Sequence, residues 1–250
     1  MTEQTDKHQP LIEHLLELRT RIMRSLFSVL FVFICLVYFA NPIYEILSEP
    51  LRAQLPENAG MIATDVISPF MAPLKFTFFV SAVLAMPYIL YQVWAFIAPG
   101  LYANEKKVAI PIFATSVLLF YGGIAFAYFV VLKMVIGFIV GVAPESVAVM
   151  TDINSYLNFV LKLFFAFGVA FEIPIATFLL VKAGIASTKS MAEKRPYIIV
   201  GCLVIGMLLT PPDIFSQLFL AGPMWLLFEL GLLFGRMVEP KEASIGDTSA

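Results

Sequence analysis

The feature that most constrains this chain is a run of 29 consecutive residues without a charge, from Phe76 to Asn104. About 20 apolar residues cross the hydrocarbon core of a bilayer as a helix, so this run is long enough to span a membrane. Similar runs recur, and 60% of the 250 residues are hydrophobic while only 14% are charged. A soluble fold could not remove so much apolar side chain from water, which excludes a soluble globular enzyme and a disordered chain.

Six apolar segments are predicted to be transmembrane helices: Ser25–Tyr44, Phe76–Asn104, Val108–Leu132, Ile153–Val181, Pro196–Pro212 and Ile214–Gly235. The last two are predicted to be short, and from Tyr197 to Thr210 the fifth would rise only about 21 Å. Met134–Pro144 is interpreted as an outer-surface segment. Three prolines inside predicted helices should kink or locally open them: Pro87, Pro174 and Pro223. We therefore predict an all-α integral membrane protein with six transmembrane helices.

The distribution of basic residues predicts the orientation. With six crossings, 12 of the 16 basic residues lie on the side of the two termini, which the positive-inside rule assigns to the cytoplasm. Residues 1–24 are predicted to form a cytoplasmic amphipathic segment, 22–236 a single transmembrane domain, and 237–250 a disordered cytoplasmic tail. Five prolines between Asn41 and Pro73 rule out a continuous helix there and predict a structured outer-side cap with short helices.

The motifs of several kinds of chemistry are missing from the sequence. It contains no His-Glu-x-x-His zinc motif, no Gly-x-Ser-x-Gly elbow and no Walker A loop, and His8 and His14 both precede the first crossing. Cys35 and Cys202 provide neither a disulfide framework nor metal-ligand spacing. A net charge of −2 gives no basic field for a nucleic acid. We expect no enzymatic activity, no cofactor, no metal and no nucleic-acid partner.

Three glutamates are candidates for function, each with a structural alternative. Glu17 lies on the polar face of the N-terminal helix, where it could simply pair with Arg21 at i,i+4. Glu105 could simply stabilise the start of the third helix, because a carboxylate interacts favourably with a helix N-terminus. Glu172 lies inside the fourth helix, where a charge is costly enough to indicate function. A secondary transporter of a small solute and a purely structural assembly subunit remain alternatives.

Five strings of residues occur in order over nearly the whole chain: Leu15–Arg19, Tyr91–Tyr102 followed by Glu105, Phe167–Gly168 with Phe171–Pro174, Lys194–Tyr197 and Leu209–Asp213. Together they resemble the TatC family, the multi-spanning core subunit of the bacterial twin-arginine, or Sec-independent, protein translocase. The resemblance implies a protein of the bacterial inner membrane that binds twin-arginine signal peptides. It also implies export of folded proteins driven by the proton gradient.

The resemblance assigns roles to matching positions. Glu17 and Glu105 would form the twin-arginine site, with Arg19, Phe96 and Tyr102 shaping it. Other matches lie on a concave face, at Glu172, and on the outer side, at Pro50, Asp152 and Asp213. The implied partners are TatA-like and TatB-like single-span proteins, the lipid bilayer and further copies of the chain, and we expect partner contacts on the last two helices, including Thr210 and Gln217.

Overall fold

The computed structural model describes residues 9–52, 61–101, 106–142, 150–209 and 214–237. The chain divides into two compact units, Met1–Gly168 and Val169–Ala250. In the described ranges, five helices are long and apolar enough to cross a membrane, and a shorter apolar helix spans Arg195–Leu209. The predicted all-α membrane fold is therefore confirmed.

The first unit is helical apart from two short strands. Its elements are α1 (Gln9–Leu36), a 3₁₀ turn (Val37–Phe39), α2 (Ala40–Arg52), β1 (Met61–Ile62), α3 (Ser68–Leu101), α4 (Lys106–Phe126), a π turn (Ala127–Val131), α5 (Leu132–Val142), β2 (Thr151–Asp152) and α6 (Ile153–Ala170). α1 packs along α3, which also contacts α2 and α4, and β1 pairs in parallel with β2. Fully buried side chains of its core include Leu47, Leu132, Leu157, Leu163 and Phe167.

The second unit is built around its last helix. Its elements are α7 (Ile173–Lys182), α8 (Thr188–Glu193), α9 (Arg195–Leu209) and α10 (Ile214–Arg236). α10 packs against each of the other three helices. A Cβ atom built on Gly231 would lie 3.0 Å from Pro174 Cα and from Thr177 Cβ. Because a larger residue would push α7 away at this point, the glycine permits the close crossing of α7 and α10.

The segment Met134–Pro144 differs from its predicted form. Up to Val142 it is not a separate outer segment, because α5 continues from α4 through the π turn in one helix, Ile110–Val142. A π turn absorbs an additional residue without ending a helix, so a break was not required there. Pro144 lies outside the described residues.

The last two helices, α9 and α10, have unequal lengths. α9 has 15 residues and rises about 22 Å at about 1.5 Å per residue, so the short fifth helix is confirmed. α10 has 23 residues and rises about 34 Å. It is shorter than the four long helical segments but long enough to cross the roughly 30 Å of hydrocarbon.

Two prolines coincide with interruptions of helices. A proline cannot donate an N–H to the carbonyl four residues earlier, and its ring clashes with that carbonyl. The 3₁₀ turn at Val37–Phe39 contains Tyr38, the residue four positions before Pro42. Likewise α6 ends at Ala170, four residues before Pro174, and α7 begins after a turn. The predicted local opening at Pro174 is thus present.

At Pro87 the helix continues, and the structure provides the reason. Pro87 leaves the carbonyl of Val83 without its usual backbone donor. The hydroxyl of Tyr121 on α4 donates a hydrogen bond of 3.1 Å to this carbonyl, and α3 runs through the proline. The helical assignment also continues through Pro223 in α10.

Candidate functional site

Glu17 lies on α1 and is held by an arginine of the same helix. Arg21, one turn later, donates from Nε to Glu17 Oε1 at 2.9 Å and from Nη2 to the same oxygen at 2.5 Å. The Glu17 side chain is 39% exposed and that of Arg21 is 20% exposed. The i,i+4 pair that the sequence analysis gave as the structural alternative is therefore present. Both of its hydrogen bonds go to Oε1, and neither goes to Oε2.

Two contacts connect this part of α1 to α3. Arg21 Nη1 donates to Gln92 Oε1 at 3.3 Å, and Gln92 is only 4% exposed. The ring of His14 stacks on Phe96, with centroids 4.2 Å apart and an angle of 15° between the planes. His14 Nδ1 also lies 3.9 Å from Glu17 Oε2. The ring of His14 therefore lies between Phe96 and Glu17, which places Phe96 near this carboxylate.

An open depression of about 360 Å³ adjoins Glu17. It is lined by Leu16, Glu17, Thr20, Arg21 and Arg24. A half-exposed carboxylate beside apolar side chains can accept the planar fork of a guanidinium, which pairs with carboxylates through two hydrogen bonds. The exposed Arg19 does not line the depression. Glu105 and Tyr102 lie outside the described residues.

Glu172 differs from its predicted position inside a helix. It lies in the turn between α6 and α7 and is the N-cap residue of α7, and its carbonyl accepts the first hydrogen bond of that helix, from Ala176, at 2.9 Å. Because Pro174 cannot donate to Ala170, the helix breaks at this glutamate. The side chain is half-buried at a point where the backbone changes direction.

Polar groups of the second unit tie α9 to α10. Gln217 Nε2 donates to the carbonyl of Leu203 at 2.8 Å. Arg195 donates from Nε to Glu229 Oε1 at 2.6 Å and from Nη2 to Oε2 at 2.7 Å, a geometry that satisfies both carboxylate oxygens. Thr210 and Asp213, between these helices, lie outside the described residues.

Asp152 connects β1 to the start of α6. Its Oδ1 accepts from the Thr64 hydroxyl at 2.8 Å and from the Thr64 N–H at 3.2 Å, while Oδ2 accepts from the N–H and hydroxyl of Ser155, both at 2.9 Å. These bonds, the Ser155 N–H first and then the Thr64 hydroxyl, lower the pKa of Asp152 to about 2. Asp152 thus stays ionised at neutral pH and holds Thr64, just after β1, against Ser155 in the first turn of α6.

Pro50 lies within α2, and its missing N–H has a visible consequence. The carbonyl of Ile46, four residues earlier, accepts a hydrogen bond of 3.2 Å from the hydroxyl of Tyr128. A donor from the π turn thus replaces the backbone donor that proline lacks, which ties α2 to the long α4–α5 helix.

The sequence analysis did not find the residues that hold the candidate side chains in position. Gln92 was part of a matching string but was not assigned a role, although a glutamine within an uncharged run of 29 residues is a signal that could have found it. The pairing of Thr64 with Asp152, 88 residues apart, left no local signal. The pairing of Arg195 with Glu229, 34 residues apart, is likewise not marked by a local pattern.

Comparison with known proteins identifies the family. The model of the family "Sec-independent protein translocase protein (TatC)" matches residues 13–223. The TatC protein of Azotobacter chroococcum mcd 1 is 60% identical over 95% of this chain and 93% of its own length. That of Escherichia coli (strain K12) is 57% identical over 91% of this chain and 88% of its own.

A solved structure agrees with these relatives. The crystal structure of the twin-arginine translocase receptor TatC has a TM-score of 0.83 and 37% sequence identity, and the match covers 90% of this chain and 99% of that one. These matches favour a protein-transport component over an enzyme and over a transporter of small solutes. The chain belongs to the TatC family of Sec-independent protein translocase proteins.

Proposed function

We propose that this chain is the signal-peptide receptor of a twin-arginine translocase in the bacterial inner membrane, with both termini in the cytoplasm. The observation that carries the proposal is the half-exposed Glu17 carboxylate at the inner end of α1, next to Phe96 and an open depression. Hydrogen bonds to a charged group contribute about 1.5–3 kcal/mol each when water is partly excluded. Leu16 and Phe96 provide apolar surface beside Glu17, and a bound peptide that covers this surface excludes water from the ion pair.

In the first step, the two consecutive arginines of a signal peptide dock on two separate carboxylates. Glu17 accepts one guanidinium, and Glu105, which precedes α4 in the sequence, accepts the other. Arg19, Phe96 and Tyr102 shape the surroundings. A lysine has a single ammonium and lacks the planar fork, so a twin-lysine peptide forms fewer hydrogen bonds with the same carboxylates.

In the second step, the hydrophobic stretch of the signal follows the kinked helices. Leu84, Tyr88 and Tyr91 are exposed and lie three or four residues apart, so they form one stripe on α3. This stripe begins next to Gln92 and passes Pro87, which leads from the proposed arginine site toward the membrane interior. An apolar segment of about 20 residues can lie along it.

In the third step, TatA-like and TatB-like single-span proteins, further copies of this chain and the proton gradient complete the machine. Gln217 already uses Nε2 within the second unit, so we assign a partner contact there to its Oε1, with Thr210 nearby in sequence. Glu172 at the helix break offers a polar group to a partner helix. Pro50, Asp152 and Asp213 stabilise the outer side.

The test is a titration of the purified protein in nanodiscs with one labelled signal peptide in twin-arginine and twin-lysine forms. Wild type is expected to prefer arginine, and Glu17→Ala and Glu105→Ala are expected to lose that preference. Glu193→Ala, which removes an exposed carboxylate at the end of α8, is the matched control and should behave as wild type. Equal binding of both peptides to all four proteins would contradict the proposal.

A further inference from the structure

Arg21 of the chain itself binds Glu17, the carboxylate to which a signal-peptide arginine binds in the proposed function. Arg21 donates two hydrogen bonds to Glu17 Oε1, and its third nitrogen donates to Gln92. We propose that Arg21 is a resident competitor, so that a signal-peptide arginine binds Glu17 by displacing it. This inference rests on the proposed function and adds a specificity-determining residue, Arg21, and a positioning residue, Gln92.

The two oxygens of Glu17 are bonded differently, and this difference favours replacement of Arg21 by a peptide arginine over binding of both arginines at once. Within the described structure, Oε2 has the His14 Nδ1 contact at 3.9 Å, which is too long for a hydrogen bond. An incoming guanidinium can therefore reach Oε2 first. It can complete a two-bond fork only when Arg21 leaves Oε1, and two guanidinium groups on one carboxylate repel each other.

Gln92 determines where Arg21 is held before and after exchange. Its side chain is buried and its Oε1 accepts from Nη1, the nitrogen that does not contact Glu17. Displacement from Glu17 therefore need not break this bond. Arg21 remains close by, and it can return when the peptide leaves.

Two consequences follow for the receptor. Without a peptide, Glu17 is still neutralised by a guanidinium, so the empty site does not contain an unpaired, partly desolvated charge. With a peptide, part of the binding free energy replaces the Arg21 contacts. Peptide affinity is thereby lowered, which favours release of the signal after transport.

The test uses the full chain in nanodiscs and the same labelled twin-arginine peptide. Arg21→Gln is expected to bind it about three- to tenfold more tightly, because the competitor is gone. Arg21→Lys keeps the charge but loses the fork, so it is also expected to bind more tightly, by a smaller factor. Arg24→Gln is the matched control, since Arg24 lines the same depression and its removal changes the charge equally.

A double variant separates displacement from general electrostatics. In a Glu17→Gln background, Arg21→Gln is expected to give no further gain, because the contact being relieved no longer exists. Thermal unfolding of each variant identifies any that do not fold, and Arg21→Lys carries the test if Arg21→Gln is one of them.

The outcomes distinguish this inference from the proposed function. Arginine preference in wild type with no gain in either Arg21 variant would overturn only the competitor. An equal gain in Arg24→Gln and Arg21→Gln would do the same, since charge alone would then explain it. Binding of the twin-arginine peptide to wild type no better than the twin-lysine peptide would overturn both.

Discussion

Glu17 and Glu229 each bind an arginine near the end of a helix, but they use their oxygens differently. Arg21 holds Glu17 through Oε1, from one turn along the same helix. Arg195 holds Glu229 through both oxygens, and it comes from a different helix, 34 residues away. A carboxylate with one oxygen still reachable can receive a ligand, whereas one whose two oxygens are both bonded acts as a brace between helices.

The two pairs also differ in what their loss would do to the surrounding helices. Exchange at Glu17 alters contacts between neighbouring turns of α1 and one side chain of α3, so the backbone is not required to move. Loss of the Glu229 pair would release the start of α9 from α10, which are otherwise joined by the Gln217–Leu203 bond and apolar packing. We therefore expect the two regions to differ in which property a mutation changes, ligand binding or stability.

The largest expected effect is on peptide binding. Glu17→Gln should weaken binding of a twin-arginine peptide about 10- to 100-fold, because hydrogen bonds to a charged acceptor are lost. Glu229→Gln should leave the affinity within about twofold and instead lower Tm by about 2–4 °C. Peptide titration and thermal unfolding of both variants in nanodiscs measure this contrast.

The reverse pattern would break the comparison. If Glu229→Gln weakens peptide binding as much as Glu17→Gln while both proteins keep their Tm, then the number of engaged oxygens does not distinguish site from brace. Arg195→Lys sharpens the result, since it keeps the charge but not the fork, and it should resemble Glu229→Gln in lowering Tm.

The next effect concerns the close packing of the braced region. Gly231→Ala places a Cβ 3.0 Å from Pro174 Cα, so α7 and α10 must separate. Gly201→Ala, inside α9 of the same unit, meets nothing within 4 Å. Both changes gain similarly in helix propensity, and we expect Gly231→Ala to be less stable than Gly201→Ala by about 1–3 kcal/mol. Denaturation in mixed micelles measures the difference, and equal stabilities would contradict a tight crossing.

A smaller loss of stability is expected when the hydrogen bond between α4 and the proline-containing part of α3 is removed. Tyr121→Phe removes the hydroxyl that satisfies Val83 opposite Pro87 and should cost about 1–2 kcal/mol of unfolding free energy. Because Gln92 and Phe96 follow on the same helix, peptide affinity should also fall slightly. In a Pro87→Ala background the backbone donor returns, so the same substitution should cost less. An unchanged cost there would show that the hydroxyl does not compensate for the proline.

The elements that the sequence predicts well are those with a local cause. Uncharged runs of sufficient length predict helices, because a segment that crosses the hydrocarbon must make its backbone hydrogen bonds internally. The pairing of Glu17 with Arg21 is visible as an i,i+4 spacing. Pro174 and Pro87 look alike in sequence, yet α6 ends before Pro174 while α3 continues through Pro87. For Pro87 the reason is a tyrosine 38 residues from Val83, which no local pattern contains.

The candidate site divides in the same way. Glu17 was found from its helical face and from a family resemblance, but its link to Gln92 spans 71 residues and depends on how α1 packs on α3. The Arg195–Glu229 and Thr64–Asp152 contacts are also tertiary. Types of side chain are therefore readable from sequence, whereas the number of oxygens that remain accessible on each carboxylate requires the packed structure.

The smallest expected effect tests a third carboxylate against the same criterion. Both oxygens of Asp152 accept hydrogen bonds, two from Thr64 and two from Ser155, so the comparison predicts a brace. Asp152→Asn should lower Tm by about 2 °C at neutral pH and leave twin-arginine binding unchanged. A loss of peptide binding without a change in Tm would show that full engagement of both oxygens does not define a brace.

The pH dependence of that difference has a definite sign. Hydrogen bonds lower the pKa of Asp152 from 3.8 to about 2 in the folded protein, so folding favours the ionised form. Its contribution to stability is complete above the unfolded value and is lost as the pH falls from about 4 toward about 2. The Tm of wild type should therefore exceed that of Asp152→Asn by a constant amount above about pH 5, and the gap should narrow below about pH 4. A gap that widens on acidification would mean that the neutral carboxyl, rather than the carboxylate, is the form that Thr64 and Ser155 stabilise.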